Sequence, residues 1–384
     1  MTNKISLIEV TQAYDDVGGL EIVLKDLNNS LVKEGYDISI VYFTPDKNSV
    51  EKLPEVENIH YYPVYKDISR IHYFNPSTIL NLFKTLNSLL SEKQADIMHI
   101  HSPCVPIGPV SVLMANRHRV PVVVTYHGAH RRKMSTELVA STCTYVTSYF
   151  STINLGVSSS SCDAMVSNPR VIGDPVDLEF FSREKADPDR FRESFNLNGE
   201  KIFLYPARFY MGKGQQDLVS VAKRLNGKIN YKFLLFGSHI HQDFVNFLKD
   251  EVEVSGLSDR FIISTPLSRE DLRDAYSASD VMVFPSYSEG LGLISIEAMS
   301  MGVPVVAYNS GGIPDVVLNN KTGLLVEKGN TDELANSLKM LVYDSQTRSF
   351  LIENGRRFVK EKFSLDSFIN KQLSVYEEVL SQPN

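Results

Sequence analysis

The sequence predicts an α/β protein with two parallel-sheet domains. Short apolar runs rich in β-branched and aromatic residues alternate with helical patterns from one end of the chain to the other. This alternation is typical of parallel sheets that carry helices on both faces. The length of 384 residues exceeds one ordinary hydrophobic core and suits two domains. We therefore expect two Rossmann-like, doubly wound domains that face a central cleft, with ligands beyond the carboxyl ends of the strands.

Both halves of the chain show this alternation. The predicted strands of the first half are apolar runs of high β propensity, at 5–10, 37–43, 96–101, 120–126 and 152–157. Helical patterns lie between them, at 20–33, 77–90 and 136–150. The second half has predicted strands at 201–206, 231–236, 261–263, 280–284, 304–307 and 323–326. Its predicted helices are 215–225, 243–254, 269–276, 293–300 and 331–343.

The predicted domain boundary lies in the charged stretch 182–199, which carries no strand pattern. It divides the chain into 1–182 and 183–363. The remaining segment, 364–384, contains an amphipathic helix, and we expect it to cross back and pack on the N-terminal domain. Its apolar stripe is formed by Leu365, Phe368, Ile369, Leu373, Tyr376 and Leu380.

Composition and charge narrow the classes of function. With 43% hydrophobic and 22% charged residues the chain is typical of globular proteins, and its net charge of −7 argues against a general nucleic-acid binder. No run of about 18 apolar residues predicts a membrane-spanning helix, and the first residues lack the apolar region of a signal peptide. Cys104, Cys143 and Cys162 have neither metal-ligand nor disulfide spacing. We expect a cytoplasmic protein with reduced thiols.

The segment 288–304 carries the densest set of chemically informative residues. Gly290 and Gly292 form a tight turn before a helix-forming run. A helix N-terminus presents unpaired N–H groups and a positive dipole end, and therefore binds phosphate. The two carboxylates of the segment, Glu289 and Glu297, would repel phosphate. We expect them to accept hydrogen bonds from sugar or ribose hydroxyls instead.

A second phosphate-type motif follows the predicted strand 201–206. Arg208 and Lys213 lie in a glycine-containing turn at the carboxyl end of that strand. An arginine fork and a lysine point charge at such an edge suit a diphosphate. The alternative is that both residues are cations on a solvated loop.

The first half has weaker signals. Gly18 and Gly19 lie between the first strand and a long helix, but they do not fit the dinucleotide fingerprint G-x-G-x-x-G, and a simple tight turn is an alternative. His101 and His127 each end a predicted strand, where side chains face the ligand-binding edge. A structural, hydrogen-bonded histidine explains either residue equally well.

The remaining patterns are less specific. The cation-rich segment 117–133, which includes Arg131, is either a solvated face or a contact with an anionic acceptor or membrane surface. Asp187-Pro-Asp189 has the D-x-D form of a metal-assisted sugar-nucleotide enzyme, but it lies in the boundary loop and not at a strand end. No H-E-x-x-H, G-x-S-x-G or G-x-x-x-x-G-K-[ST] sequence occurs. We expect no metal and no cofactor.

Taken in order along the chain, these motifs resemble the family 4 retaining glycosyltransferases, which have the GT-B architecture. The likeness covers nearly the whole chain. In the second half it rests on the Arg…Lys-Gly loop, the E-x7-E motif and two glycine-rich runs, at 208–214, 289–297, 302–307 and 311–315. In the first half it rests on the segments 18–21, 33–41, 95–101 and 120–128.

The resemblance implies roles for individual residues. Arg208 and Lys213 would hold the donor diphosphate. Glu289 would accept from a donor-sugar hydroxyl and Glu297 from the ribose, while His127 would contact the donor sugar near C6. Further donor contacts would come from Gly18, Gly19, Gly237, Leu267, Gly290, Leu291, Gly292 and Leu293.

The resemblance also implies a reaction. Domain 1–182 would bind a hydroxyl acceptor, and domain 183–363 a nucleotide-diphosphate sugar with uridine as the expected carrier. The sugar would be transferred with retained configuration and without a metal, the departing phosphate oxygen taking the acceptor proton. A sugar-nucleotide epimerase or hydrolase of the same fold, and an inactive binding scaffold, are the alternatives. The sugar, the acceptor and the oligomeric state stay open, as does peripheral contact with the inner membrane surface.

One departure from the family pattern concerns the acceptor side. The family usually has Asn-Gly-Val-Asp where this chain has Asp174-Pro175-Val176-Asp177. Pro175 fixes φ, and Asp174 adds a possible negative charge. Our hypothesis is that Asp174 meets a hydroxyl-rich or amino-bearing acceptor, with His101 and Arg131 on the same side.

Overall fold

The computed structural model describes residues 4–12, 14, 19–65, 75–103, 107–127, 134–163, 165–167, 169–238 and 241–382. The chain divides into two compact units. Unit 1 comprises Met1–Pro175 and Leu365–Asn384, and unit 2 comprises Val176–Ser364. Across the described ranges, none of the helices combines the length and the apolar character that crossing a bilayer requires.

Unit 1 is built on a seven-stranded parallel sheet with the order β3-β2-β1-β4-β5-β6-β7. The strands are β1 (Ile5–Thr11), β2 (Tyr36–Thr44), β3 (Ile59–Tyr65), β4 (Ile97–His101), β5 (Val122–Tyr126), β6 (Ile153–Gly156) and β7 (Pro169–Val171). The helices of its N-terminal segment are α1 (Gly19–Lys33), α2 (Pro76–Glu92), α3 (Ile107–Arg117), α4 (Met134–Phe150) and α5 (Ser159–Cys162).

Unit 2 is built on a six-stranded parallel sheet with the order β10-β9-β8-β11-β12-β13. Its strands are β8 (Lys201–Pro206), β9 (Tyr231–Phe236), β10 (Phe261–Ser264), β11 (Val281–Phe284), β12 (Val305–Tyr308) and β13 (Leu324–Val326). Its helices are α6 (Pro188–Ser194), α7 (Asp217–Leu225), α8 (Gln242–Val254), α9 (Arg269–Ala278), α10 (Leu293–Ser300), α11 (Ile313–Val316), α12 (Thr331–Tyr343) and α13 (Ser345–Lys362).

The strand orders confirm the predicted doubly wound class. In each sheet the chain moves outward through three strands and then returns to the far side of the first one. The order therefore reverses between β1 and β4 in unit 1, and between β8 and β11 in unit 2. Open α/β sheets bind ligands at this switch point, beyond the carboxyl ends of the strands.

The central strands of unit 1 are buried on both faces, as expected for a parallel sheet under two helical layers. All five residues of β5, for example, are buried. One core cluster packs α1 against one face of the sheet, and a second packs α2 and α3 against the other. The fully buried Glu9 of β1 stands out in this apolar setting.

The last helix, α14 (Leu365–Ser381), belongs to unit 1. Phe368, Val375 and Val379 join the core cluster that contains the buried face of α1. At the edge of the same helix, the Lys371 ammonium donates to the Ile172 carbonyl at 3.1 Å. The C-terminal segment thus supplies part of the core of unit 1.

The division between the units lies between Pro175 and Val176. The boundary predicted from the sequence, after Ser182, is therefore seven residues too late. The Val176 amide donates to the Phe363 carbonyl at 2.8 Å, and the Phe181 carbonyl accepts from the Ser300 hydroxyl at 2.7 Å. These bonds attach the segment 176–182 to unit 2.

The stretch 182–199 is also structured. Asp187 caps α6 by accepting from the Arg190 amide at 3.0 Å, and Phe191 is buried. Capping accounts for one aspartate of the D-x-D sequence, because aspartate is a favoured residue before the first helical turn.

We predict that Phe368→Ala destabilises unit 1 by about 3–5 kcal/mol, because it removes a buried ring and leaves a cavity between α14 and α1. The free energy of unfolding in urea measures the effect. Asn370→Ala, at an exposed position of the same helix, is the matched control and should change little. Equal losses in both variants would contradict the packing role of α14.

Candidate functional site

The loop after β8 places Arg208 and Lys213 at the switch point of unit 2. Arg208 is exposed, and Lys213 closes a short 3-10 turn and is buried. Gly214 follows with φ of 72°, and a side chain there would overlap the carbonyl oxygen of Pro285. Glycine is therefore required, and it lets this loop lie directly against the first residue after β11.

Lys213 and Glu289 form an ion pair at this edge, with side chains only 11% and 14% exposed. The Tyr205 hydroxyl donates to the Lys213 carbonyl at 2.8 Å and holds the turn in place. The Glu289 backbone is held from the other side, because Gly312 donates its amide to the Glu289 carbonyl at 3.1 Å and Gly311 packs on the same peptide. Both members of the ion pair are thus fixed by backbone contacts.

Helix α10 begins directly after Gly292, which has a φ of 90° and no side chain that could cap the first turn. The Ser295 hydroxyl donates to the Gly292 carbonyl at 2.6 Å. Helices leave their first N–H groups unpaired, and these groups attract anions. The first turn of α10 therefore offers an anion site beside Glu289.

Glu297 lies one turn into α10. The Tyr276 hydroxyl donates to Glu297 Oε2 at 2.9 Å. Burial raises the pKa of Glu297 to about 7, while Tyr276 and the positive charge of Arg269 act in the opposite direction. At neutral pH this carboxylate is divided between its acid and its ionised form, and a set of hydroxyl donors would favour the ionised form.

The other unit 2 residues singled out in the sequence lie along the same edge. Gly237 follows β9, and a side chain there would overlap the Ala207 carbonyl oxygen. Leu267 is partly buried and lies in the loop between β10 and α9. The next residue, Ser268, caps α9 by accepting from the Asp271 amide. Gly290 and Leu291 lie between Glu289 and α10, and Leu293 is the first residue of that helix.

In unit 1 the structure brings His101, His127 and Asp174 into one line. His101 ends β4, and His127 follows β5 directly. Asp174 Oδ1 lies 3.0 Å from His127 Nδ1, and His127 Nε2 lies 3.3 Å from His101 Nδ1. Asp174 therefore has a partner inside unit 1, and both ring nitrogens of His127 are engaged.

Three buried residues of the same region, Glu9, Asn28 and His99, escaped the sequence reasoning, which placed Tyr376 only on the apolar stripe of the last helix. Glu9 Oε2 accepts from Asn28 Nδ2 at 2.7 Å, and Glu9 Oε1 lies 3.6 Å from His101 Nε2. His99 Nδ1 lies 2.6 Å from the Tyr376 hydroxyl of α14. A single carboxylate inside the apolar run of β1 was the available signal for Glu9.

Glu9, His99 and His101 also place possible metal-ligand atoms within 4.8 Å of one another. Both ring nitrogens of His99 already have partners, the Tyr376 hydroxyl and the Thr125 hydroxyl at 2.8 Å. A metal ion that used His99 would have to displace one of these partners.

Some residues named from the sequence lie outside the described part of the chain. These are Gly18, Cys104 and Arg131. Gly19 is the first residue of α1, and its surroundings also lie outside. Arg117 and Arg119, at the end of α3, are exposed.

Comparison with known proteins identifies the family. Residues 17–180 match the family model described as Glycosyltransferase Family 4, and residues 187–358 match the model of group 1 glycosyl transferases. The chain belongs to the family 4 glycosyltransferases. It is therefore an enzyme of the glycosyltransferase class with the GT-B fold, as the sequence motifs predicted.

Individual relatives agree with this assignment. The glycosyltransferase is 24% identical to the N-acetyl-alpha-D-glucosaminyl L-malate synthase of Bacillus anthracis over 96% of each chain. A glycosyltransferase structure from Rickettsia africae superposes with a TM-score of 0.83 at 23% identity, covering 99% of this chain and 100% of the other. HepE of Anabaena, in complex with UDP and glucose, gives 0.78 at 17% identity over 97% and 100%.

We predict that Glu297→Gln stabilises the glycosyltransferase at pH 8 and has no effect near pH 4. The raised pKa means that the folded state binds this proton more tightly than the unfolded chain, so the wild type loses stability as the pH rises from about 4 to about 7. The gain at pH 8 should reach about 2–3 kcal/mol. Unfolding free energies at both pH values test it.

Glu253→Gln, at an exposed position of α8, is the control for this experiment and should show no such pH dependence. A Glu297→Gln enzyme that is no more stable than the wild type at pH 8 would show that burial does not raise the pKa of Glu297.

Proposed function

We propose that this glycosyltransferase moves a sugar from a uridine-diphosphate sugar to a hydroxyl acceptor, with retained configuration and without a metal ion. The observation that carries the proposal is the position of Arg208, Lys213 and the first turn of α10 at one edge of the unit 2 sheet. Two carboxylates, Glu289 and Glu297, lie at the same edge. Cationic groups and free amides suit a diphosphate, and the carboxylates suit hydroxyl groups.

The diphosphate is the part of the donor that gains charge during transfer. As the bond from the anomeric carbon to the phosphate oxygen breaks, negative charge builds on the leaving group. Arg208 provides a forked donor and Lys213 a point charge, while α10 adds its N–H groups and dipole. Preorganised donors of this kind stabilise developing charge and act mainly on kcat.

Glu289 and Glu297 are assigned to binding. Glu297 accepts from the ribose hydroxyls, and the Tyr276 hydroxyl holds the carboxylate in place. Glu289 accepts from a hydroxyl of the donor sugar while Lys213 turns toward the phosphate. In the free enzyme the two side chains neutralise each other's charge by forming an ion pair. When the donor binds, each exchanges this partner for a group of the donor.

Retention follows from a same-face path. The acceptor oxygen forms its bond to the anomeric carbon on the face from which the phosphate leaves, and the acceptor proton passes to the departing phosphate oxygen. The charge of the diphosphate is met by Arg208, Lys213 and α10, so the proposal assigns no role to a metal. Support for the uridine carrier comes from HepE, whose structure holds UDP and glucose.

The acceptor side is assigned to unit 1, where His127, His101 and Asp174 lie together. The proposal assigns His127 to a contact with the donor sugar, as the family resemblance implies. The chemical identity of the acceptor stays open beyond its hydroxyl group. Peripheral contact of the exposed Arg117 and Arg119 with an anionic membrane surface also stays a prediction.

We predict that UDP raises the melting temperature more than UMP or uridine at equal concentration, because only UDP occupies the whole diphosphate site and ligand binding stabilises the folded state by mass action. The UDP shift should grow between pH 6 and pH 8, since donor hydroxyls bind the ionised form of Glu297. In Glu297→Gln that pH dependence should disappear. Equal shifts from UDP and uridine would contradict the diphosphate site.

We predict that Arg208→Ala and Lys213→Ala each lower kcat by about 10²–10³, in line with the loss of one transition-state donor. Donor KM should change much less, and chelation of metals should leave activity intact. Lys249→Ala, at an exposed position of α8, is the matched control. Near-normal kcat in both site variants would contradict the mechanism. Epimerised or hydrolysed donor as the main product would establish the epimerase or hydrolase alternative.

A further inference from the structure

A line of four titratable side chains runs through the core of unit 1. Asp174 contacts His127 at 3.0 Å, His127 contacts His101 at 3.3 Å, and His101 Nε2 lies 3.6 Å from Glu9 Oε1. The exposed fraction of these side chains falls from 9% at Asp174 and His127 to 2% at His101 and zero at Glu9. The line therefore leads from the ligand-binding edge of the sheet into its interior.

Hydrogen bonding along this line determines where the ring hydrogens lie. An ionised carboxylate only accepts, so Asp174 fixes the hydrogen of His127 on Nδ1. His127 Nε2 then carries a lone pair and accepts from His101 Nδ1. The remaining ring nitrogen of His101, Nε2, is left with a lone pair that faces Glu9.

The gap between His101 and Glu9 brings two acceptors together in a buried place. Neither His101 Nε2 nor Glu9 Oε1 has a hydrogen-bond partner within the described residues. Three contacts along the line require three hydrogens, and two neutral imidazoles supply two. One additional proton in the gap would complete the line, because unpaired buried polar atoms are costly.

In the described part of the chain, no other group around the gap donates a hydrogen bond to His101 Nε2 or Glu9 Oε1. Asn28 of α1 donates to Glu9, and the Tyr14 hydroxyl, in the segment after β1, and Tyr376 of α14 lie near the same carboxylate. The ring of His99 lies 3.8 Å from that of His101, and burial keeps the pKa of His99 well below its usual value, so it is neutral. Burial also lowers the pKa of His101, while Glu9 raises it.

We propose that Glu9, His101 and Asp174 are positioning residues that act through His127, and that the gap between Glu9 and His101 holds one proton in the active enzyme. This rests on the proposed function, in which His127 lies beside the donor sugar. Two carboxylates and one additional proton give the line a net charge of −1. A buried negative charge stabilises the positive charge that develops on the sugar ring as its bond to phosphate breaks.

Two isosteric variants test the proton and the charge separately, without leaving a cavity. In Glu9→Gln the side-chain amide can donate to His101 Nε2 and its oxygen can still accept from Asn28, so the gap is filled without the proton. Asp174→Asn keeps the acceptor for His127 and removes the charge. Asp174→Asn should lower kcat about tenfold, the order expected for one charge near a developing charge, with donor KM within about twofold. Glu9→Gln keeps the net charge at −1 and is read out by the position of the proton. The exposed positions Glu55→Gln and Asp163→Asn are matched controls.

Spectroscopy of the substrate-free wild type gives a readout that does not depend on turnover. Nitrogen NMR of histidine-labelled protein near neutral pH should show the hydrogen of His127 on Nδ1 and an accepting Nε2. The additional proton should appear either as a doubly protonated His101 ring or as the infrared carbonyl band of a protonated carboxyl group. Whichever of these two signatures the wild type shows should vanish in Glu9→Gln. The His127 tautomer should change only in Asp174→Ala.

Three results would overturn the proposal. These are a neutral His101 opposite an ionised Glu9, a stoichiometric metal ion in the purified protein, or unchanged kcat in the Asp174→Asn variant of an active enzyme. A wild type that turns over no sugar donor would refute the proposed function instead, and the spectra would still decide whether the gap holds its proton.

Discussion

Close backbone contact between neighbouring loops is the constraint on which the unit 2 site depends. Lys213 meets Glu289 because the loop after β8 lies directly on Pro285, and only a residue without a side chain fits at Gly214. Gly311 makes the same kind of contact with the Glu289 peptide from the β12 side, and Gly237 packs on the Ala207 carbonyl. The strand order brings these loops to one edge, and the glycines let them touch.

Unit 1 uses the same strand order differently. Its polar groups come from within the strands, from their last residues and from the residues that follow them, so they extend from the edge of the sheet into the core. Glu9, in the middle of β1, contacts His101 at the end of β4, and α14 supplies the Tyr376 hydroxyl to His99. Burial makes each of these contacts costly to leave incomplete. The geometry at His127 is therefore tied to the packing of the C-terminal helix.

Much of the fold followed from periodicity, and the exceptions have physical reasons. The bounds of β8, β9, α10 and α12 were predicted to the residue, since their apolar patterns are strong and their ends carry turn residues. The sequence missed β3, β7, α3, α6 and α13, along with the four-residue helices α5 and α11. Strand β3 contains Pro63 and is mostly half-exposed, and α13 is so polar that it lacks a clear apolar stripe.

The residues of the candidate sites also differ in whether local sequence or distant contacts reveal them. The residues Arg208, Lys213, Glu289 and Glu297 were accessible because each belongs to a short motif at a strand end or helix start. The line from Asp174 to Glu9 joins residues from four separate segments, and the His99–Tyr376 contact spans 277 positions. Such pairs leave no periodic signal. What the sequence did contain was an isolated charge in an apolar strand, and a buried charge without a local partner implies a distant one.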